Sequence, residues 1–275
     1  NFPGYLCYKR NMLMRPRNQG LCAACWSFSI VDMMADTVNL RTQGAWGAEP
    51  LSPQFLLDCW GGHSGCSIGA APENVYDLPQ VTSRGVPRER DYRYKEKVGW
   101  SCRKLPEGAA KLRLISGTAI DVCEPLDGLE GRELAAAVRR NVTAMKVQLL
   151  RRGPFVGTIR VHENIYANKG REGYAGGEGT PVSGWHACLV VGYCDAGVHW
   201  DRGFSQGHWI LKNSWSKDFG DEGYFYVAMG RNCVDVESRG SWAQVEIPDE
   251  LKCKDSEVNL RTARYEDLAD LLNAA

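Results

Sequence analysis

The chemistry of this 275-residue chain gathers first around Cys25. The stretch Asn18-Gln19-Gly20-Leu21-Cys22-Ala23-Ala24-Cys25-Trp26-Ser27-Phe28 reads as a loop that turns into a helix. Phe28, Val31, Ala35 and Val38 recur at helical spacing, with no Gly or Pro before Gly44. A thiol at that junction meets unpaired backbone N–H groups and the positive end of the helix dipole, and both favour the thiolate nucleophile. Such a nucleophile needs a base, a group that orients the base, and donors for a developing oxyanion. His63, His162, His186, His199 and His208 could each supply the base, and spacing alone does not choose among them. Cys22 and Cys25 also form a C-x-x-C, which could be redox-active or could bind zinc with Cys59, His63 and Cys66. A redox motif wants a strand just before it, which Pro16 and Gly20 argue against.

These residues need elements to hold them. A helix from Cys25 to about Thr42 is followed by the breakers Gly44, Gly47 and Pro50. A second helix starts after Ser52 as N-cap, with Pro53 at its first position. A Gly/Cys-rich loop from Gly61 to Gly69 precedes a predicted helix from about Pro72 to Ser83. After about Leu114 the character changes. One helix, roughly Thr143 to Arg152, gives way to strands at Phe155–Val161, His186–Tyr193, Gly207–Lys212 and Gly223–Met229. The expected class is α+β in two lobes, with residues 1–114 mainly helical and 115–250 rich in strands. Residues 251–275 read as an amphipathic helical extension that packs on the body, on a partner, or remains a free tail.

Composition narrows the partners. The chain has 33 basic and 33 acidic side chains, so it implies no nucleic-acid or polyanion partner. No apolar run approaches the roughly 18 residues of a membrane helix. The opening Asn1-Phe2-Pro3-Gly4 carries no signal peptide and reads as a processed or trimmed terminus. Eleven cysteines, less one nucleophile, leave an even number, which fits an oxidising compartment and up to five disulfides. Asn141-Val142-Thr143 is an N-glycosylation sequon, although Asn141 reads equally well as the N-cap of the helix after it.

Three blocks carry a resemblance. The segment from Gln19 to Phe28 resembles the active-site segment of papain-like cysteine proteases. Gly184-Trp185-His186-Ala187, running on to Gly192-Tyr193, resembles that family's histidine strand. Trp209-Ile210-Leu211-Lys212-Asn213-Ser214-Trp215, with Gly220 and Gly223-Tyr224-Phe225, resembles its asparagine block. The resemblance covers residues 1–250 in order. It implies a papain-like fold with a helical left lobe, an antiparallel β-barrel right lobe and the cleft between them. It also implies peptide-bond hydrolysis through an acyl thioester, without cofactor or metal. Cys25 would be the nucleophile, His186 the base and Asn213 its orienter, with Trp215 shielding their bond from water. The Gln19 side chain and the Cys25 N–H would form the oxyanion hole. Cys22–Cys66 and Cys59–Cys102 would be disulfides. Implied partners are peptide or protein substrates, the protein's own propeptide and cystatin-like inhibitors. The implied location is lysosomal, vacuolar or secreted.

Departures from the pattern mark the substrate-binding wall. Ser67-Ile68-Gly69 stands where the family keeps a bare backbone for substrate pairing, with Ala71 just beyond. Trp185 stands before the base and, with Ala187, walls the leaving-group side or the main specificity pocket. Residues 34–40, Gly44-Ala45-Trp46 and Leu51-Ser52 resemble cathepsin X, and Glu237-Ser238 resembles cathepsin B. The second likeness would put Arg239 at the floor of the second pocket, its buried guanidinium favouring acidic side chains, unless it faces solvent. No insertion lies between Gln19 and Cys25, and no His-rich loop follows Cys66, so an endopeptidase is expected. An exopeptidase of cathepsin X or B type, or a non-catalytic papain-fold binding protein, is the alternative. Pairing of Cys7, Cys123, Cys188, Cys194, Cys233 and Cys253 is left open.

Overall fold

The structure is a computed structural model that describes residues 4–8, 10–60, 65–99, 101–168, 173–174, 176–177, 179–198 and 204–252. Helix α1 (Cys25–Arg41) forms where its apolar spacing predicts. It is enclosed on every side, since every residue from Trp26 to Asn39 is buried. Its polar members Asp32, Asp36 and Asn39 must therefore find partners inside the protein. Helix α2 (Pro53–Cys59) starts as expected: the Ser52 hydroxyl accepts the Phe55 N–H, and Pro53 takes the first position. The helix expected over Pro72–Ser83 does not form. Pro72–Asn74 makes a 3₁₀ turn and Gln80–Arg84 a π-helical turn. Pro79 lies between them, where it lacks the N–H and blocks the carbonyl that a continuous helix needs.

Helix α3 (Gly131–Arg151) begins a full three turns before the predicted Thr143. Ala137, Val138, Met145 and Leu149 form its buried stripe. Asn141 therefore sits in mid-helix and not at a cap. It is 1% exposed. Its Nδ2 donates to the carbonyls of Glu124 and Glu237, and its Oδ1 accepts the Glu124 N–H. The expected glycan site is thus corrected: the folded protein has no room for a sugar on this amide.

The strands are β1 (Tyr5–Cys7), β2 (Val86–Pro87), β3 (Lys111–Leu112), β4 (Ile120–Asp121), β5 (Phe155–His162), β6 (Gly173–Tyr174), β7 (Val182–Cys194), β8 (His208–Lys212), β9 (Tyr224–Ala228) and β10 (Gly240–Trp242). Among the described residues the main sheet runs β4-β10-β5-β7-β8-β9-β6, with β1 also on β7. The path stays open where a closed barrel was expected, because its end strands β4 and β6 are only two residues long. All pairs are antiparallel except β6 with β9. Strand β7 is the spine, pairing with β5 along its first part and with β1 and β8 along its last. Residues 5–7 thus join the sheet, although they precede the helical part of the chain. Trp26, Trp209, Phe155 and Phe225 are among the largest fully buried side chains. The result is an α+β fold in which α1 packs against β7. No helix among the described residues is long and apolar enough to cross a membrane.

Candidate active site

Cys25 is the first residue of α1, and the chain before it is tied down tightly. Cys22 and Cys66 form a disulfide, the Ala23 N–H donates to the Cys66 carbonyl at 2.8 Å, and the Ala24 N–H to the Cys22 carbonyl at 2.7 Å. The thiol is half-buried. Burial raises its pKa above the ordinary value, while backbone groups of Ala187, Trp26 and Cys25 itself pull it down. The helix terminus does favour the thiolate, as expected, but desolvation outweighs it while the charge is alone.

Strand β7 brings His186 to the same place. The ring is 4% exposed, and its Nε2 lies 2.7 Å from Asn213 Oδ1. The Ser214 N–H donates to that same oxygen at 2.8 Å, which fixes the amide's orientation. Nε2 must then carry the proton, and Nδ1 is left with a lone pair. Burial pushes the His186 pKa down to about 4, with the Asn213 bond opposing. Cys25 and His186 are thus each neutral when considered singly. Moving one proton from sulfur to Nδ1 would create both charges together, and each would offset the other's desolvation. Trp215 lies against the imidazole, ring centroids 4.4 Å apart, and is itself packed by Tyr166 and Phe219.

Gln19 is buried and held from both ends. Its N–H donates to the Ser214 carbonyl at 2.8 Å, its Oε1 accepts the Ser214 hydroxyl at 2.6 Å, and its Nε2 donates to the Cys22 carbonyl at 2.9 Å. Gln19 also lines the hollow beside Cys25. Sequence reasoning singled out Gln19 but missed Ser214, the residue that orients both Gln19 and Asn213.

Two hollows meet at this site. One of about 660 Å³ is lined by Gln19, Cys25, Trp185, His186 and Trp215. The other, of about 440 Å³, is lined by Cys25, Ile68, Gly69, Ala71, Trp185, His186, Ala187 and Arg239. All the wall residues expected from sequence therefore come together, and Trp185 stands between the two hollows. Gly69 has φ +80°, and a Cβ there would stand 3.2 Å from the Ala23 carbonyl, so glycine is required. The Arg239 expectation is corrected in part. Its guanidinium borders the second hollow but is exposed, lying over the Trp185 ring at 4.8 Å. Arg160, the cross-strand partner of Trp185, also lies over that ring at 5.1 Å and is paired with Asp235 at 2.7 Å. Thr158 and Glu73 line the second hollow and carried no sequence signal.

The competing assignments resolve on bonding. Cys22–Cys66 and Cys59–Cys102 are disulfides, so neither the redox C-x-x-C nor the zinc reading keeps its thiolates. His63, His199 and the segment 253–275 lie outside the described residues. His162 faces the Thr180 carbonyl, and His208 is buried in β8 against Tyr226. Cys123, Cys188 and Cys233 hold buried thiols, and burial pushes Cys123 and Cys233 up to about 12.

The profile described as papain family cysteine protease matches residues 7–243. The chain belongs to the papain family. Its relatives include a probable cysteine protease, RD19B, of Arabidopsis thaliana, 28% identical over 81% of this chain and 56% of that one. A cathepsin B-like protein, CP2, of Giardia intestinalis is 30% identical over 81% of this chain and 66% of its own. The chain spans between about half and two thirds of the length of these relatives. Among solved structures, procathepsin B S9 from Trypanosoma congolense superposes with a TM-score of 0.67 at 19% identity, covering 90% of this chain and 79% of that one. The bromelain protease from Ananas comosus, solved with the E64 inhibitor, gives 0.61 at 20%, covering 89% of this chain and all of that one. These structural likenesses carry the fold.

Proposed function

We propose that this protein is a cysteine peptidase that cleaves peptide bonds by nucleophilic attack of Cys25. The observation that carries the reading is the Asn213-held, Nε2-protonated His186 beside a thiol at the start of α1. Nδ1 of His186 takes the thiol proton, and the thiolate attacks the substrate carbonyl. The Cys25 N–H and the Gln19 side chain stabilise the oxyanion. His186 then returns its proton to the leaving amine, and water hydrolyses the acyl thioester. The helical part, 1–114, and the strand-rich part, 115–250, form the two walls of the cleft.

Hollows on both sides of Cys25 support an endopeptidase, with substrate running past the nucleophile in both directions. In the second hollow Ile68, Ala71 and Ala187 form an apolar wall, and Arg239 presents an exposed guanidinium at its edge, which supports a preference for acidic side chains. Disulfides at both helical-side pairs support an oxidising compartment, lysosomal, vacuolar or secreted. A propeptide and cystatin-like inhibitors are proposed partners on family grounds.

A thiol-directed epoxide tests the mechanism. Stoichiometric labelling at Cys25 that His186→Ala abolishes is expected, and labelling indifferent to His186 would overturn it. Internally quenched peptides separate internal from terminal cleavage. A peptide library showing no gain for Asp or Glu at that subsite, or a gain that survives Arg239→Ala, ends the subsite assignment.

A further inference from the structure

Lys212 directly precedes Asn213 and is 2% exposed. Its Nζ lies 2.5 Å from Asp36 Oδ2, 3.1 Å from Asp32 Oδ2 and 3.2 Å from the Met14 carbonyl. Both aspartates belong to α1, seven and eleven residues after Cys25, which is two and three turns along the same helical face. The face that begins with the nucleophile therefore carries the two carboxylates deeper in the protein. The arrangement is closed by further contacts. Asp36 accepts the Met14 N–H at 2.6 Å, and Asp32 accepts from Arg17 at 2.6 Å. On the sheet side Lys212 sits opposite Leu189 of β7, three residues past His186, and opposite Tyr224 of β9. One ammonium thus links the helix of Cys25 to the strands of His186 and Asn213, at an atom that no substrate reaches.

We propose that Lys212 is a positioning residue: its buried bridge to Asp32 and Asp36 sets the placement of His186 and Asn213 relative to Cys25. This rests on the cysteine-peptidase reading. A buried ion pair of this kind tolerates little displacement, because moving the ammonium away strands the fully buried Asp36 carboxylate without solvent and leaves Asp32 to Arg17 alone. An ångström of drift at the base is enough to cost about a hundredfold in rate.

The test uses the full chain, wild type and Lys212→Met, with three readouts. The expected result for the variant is a kcat at least tenfold lower with KM within twofold. The pH profile of Cys25 alkylation should shift toward that of an isolated thiol. Ring-nitrogen NMR shifts of His186 should report mixed tautomers in place of the Nε2–H form. A folded variant with kcat, alkylation profile and tautomer all as in wild type would overturn the proposal. If Lys212→Met does not fold, Asp36→Asn, which keeps an oxygen for the Met14 N–H and removes the 2.5 Å ion pair, takes its place. There a shifted alkylation profile supports the proposal, and an unchanged one overturns it. The NMR readout is independent of catalysis. A wild type that neither cleaves peptides nor takes the epoxide removes the peptidase reading while the tautomer still judges Lys212.

Discussion

Lys212 and Asn213 are neighbours in sequence, both buried, and each reaches a group from another part of the chain, yet they do opposite things with charge. Lys212 is ionised and enclosed by Asp32 and Asp36. Burial acts to lower its pKa, but the two carboxylates more than reverse that and hold it above the ordinary value. Asn213 serves a neutral hydrogen bond to His186, whose burial drives it toward the uncharged form. One site holds its charges settled at neutral pH. The other keeps them latent until a proton moves. Stability should depend chiefly on the first, which reaches turnover only through placement, and turnover chiefly on the second.

Breaking the charged site gives the largest predicted loss of stability. Lys212→Met should destabilise the fold by about 3–5 kcal/mol, since it leaves the buried Asp36 carboxylate without a cation and Asp32 with Arg17 alone. Chemical denaturation measures this, and a loss below about 1 kcal/mol would erase the contrast. Asn213→Ala should reduce kcat about a hundredfold by freeing the imidazole. Its effect on denaturation should be only about 1 kcal/mol, the scale of one hydrogen bond. Equal stability losses in the two variants would mean that the division does not exist.

The smallest effect is a cancellation. His186 has a folded pKa of about 4 against an ordinary 6.5, so the unfolded chain holds the extra proton and stability falls between pH 6.5 and 4. Asp36 is raised to about 6 from 3.8 by burial, with Lys212 opposing, so the folded chain holds the extra proton and stability rises as pH falls through 6. The two arms have opposite signs. Wild-type stability should therefore fall less between pH 6 and 4 than that of Asp36→Asn, which keeps only the His186 arm and should lose stability steadily on acidification. A flat profile in the variant would contradict the assignment.

The residues proposed to react were legible in sequence because each lies in a recognisable block: Gln19 before Cys25, Ala187 after His186, Trp215 after Asn213. The apolar recurrence of Phe28, Val31, Ala35 and Val38 gave α1. It said nothing of the other face, where Asp32 and Asp36 break an otherwise apolar pattern and become meaningful only once Lys212 arrives from far along the chain. Asn141 misled because a sequon and an N-cap are both local readings, while its partners, Glu124 and Glu237, are set by tertiary packing. Pro79 was the legible signal against a helix over 72–83. Arg239 was located from its neighbours, but its exposure depends on Trp185, a contact across the sheet.

The Cys22–Cys66 bridge has a consequence for redox handling. The same segment holds a sulfur that must stay reduced to react and, three residues earlier, one that must stay oxidised to hold the loop. Access does not separate them. Cys22 is 3% exposed, but its partner Cys66 is half-exposed, as Cys25 is, and all three border the same hollow. Exchange requires a thiolate to approach a sulfur directly, so an incoming thiol meets the bridge at Cys66. The hollow that admits a reductant to Cys25 admits it to the bridge too, and activation and unravelling share one entrance.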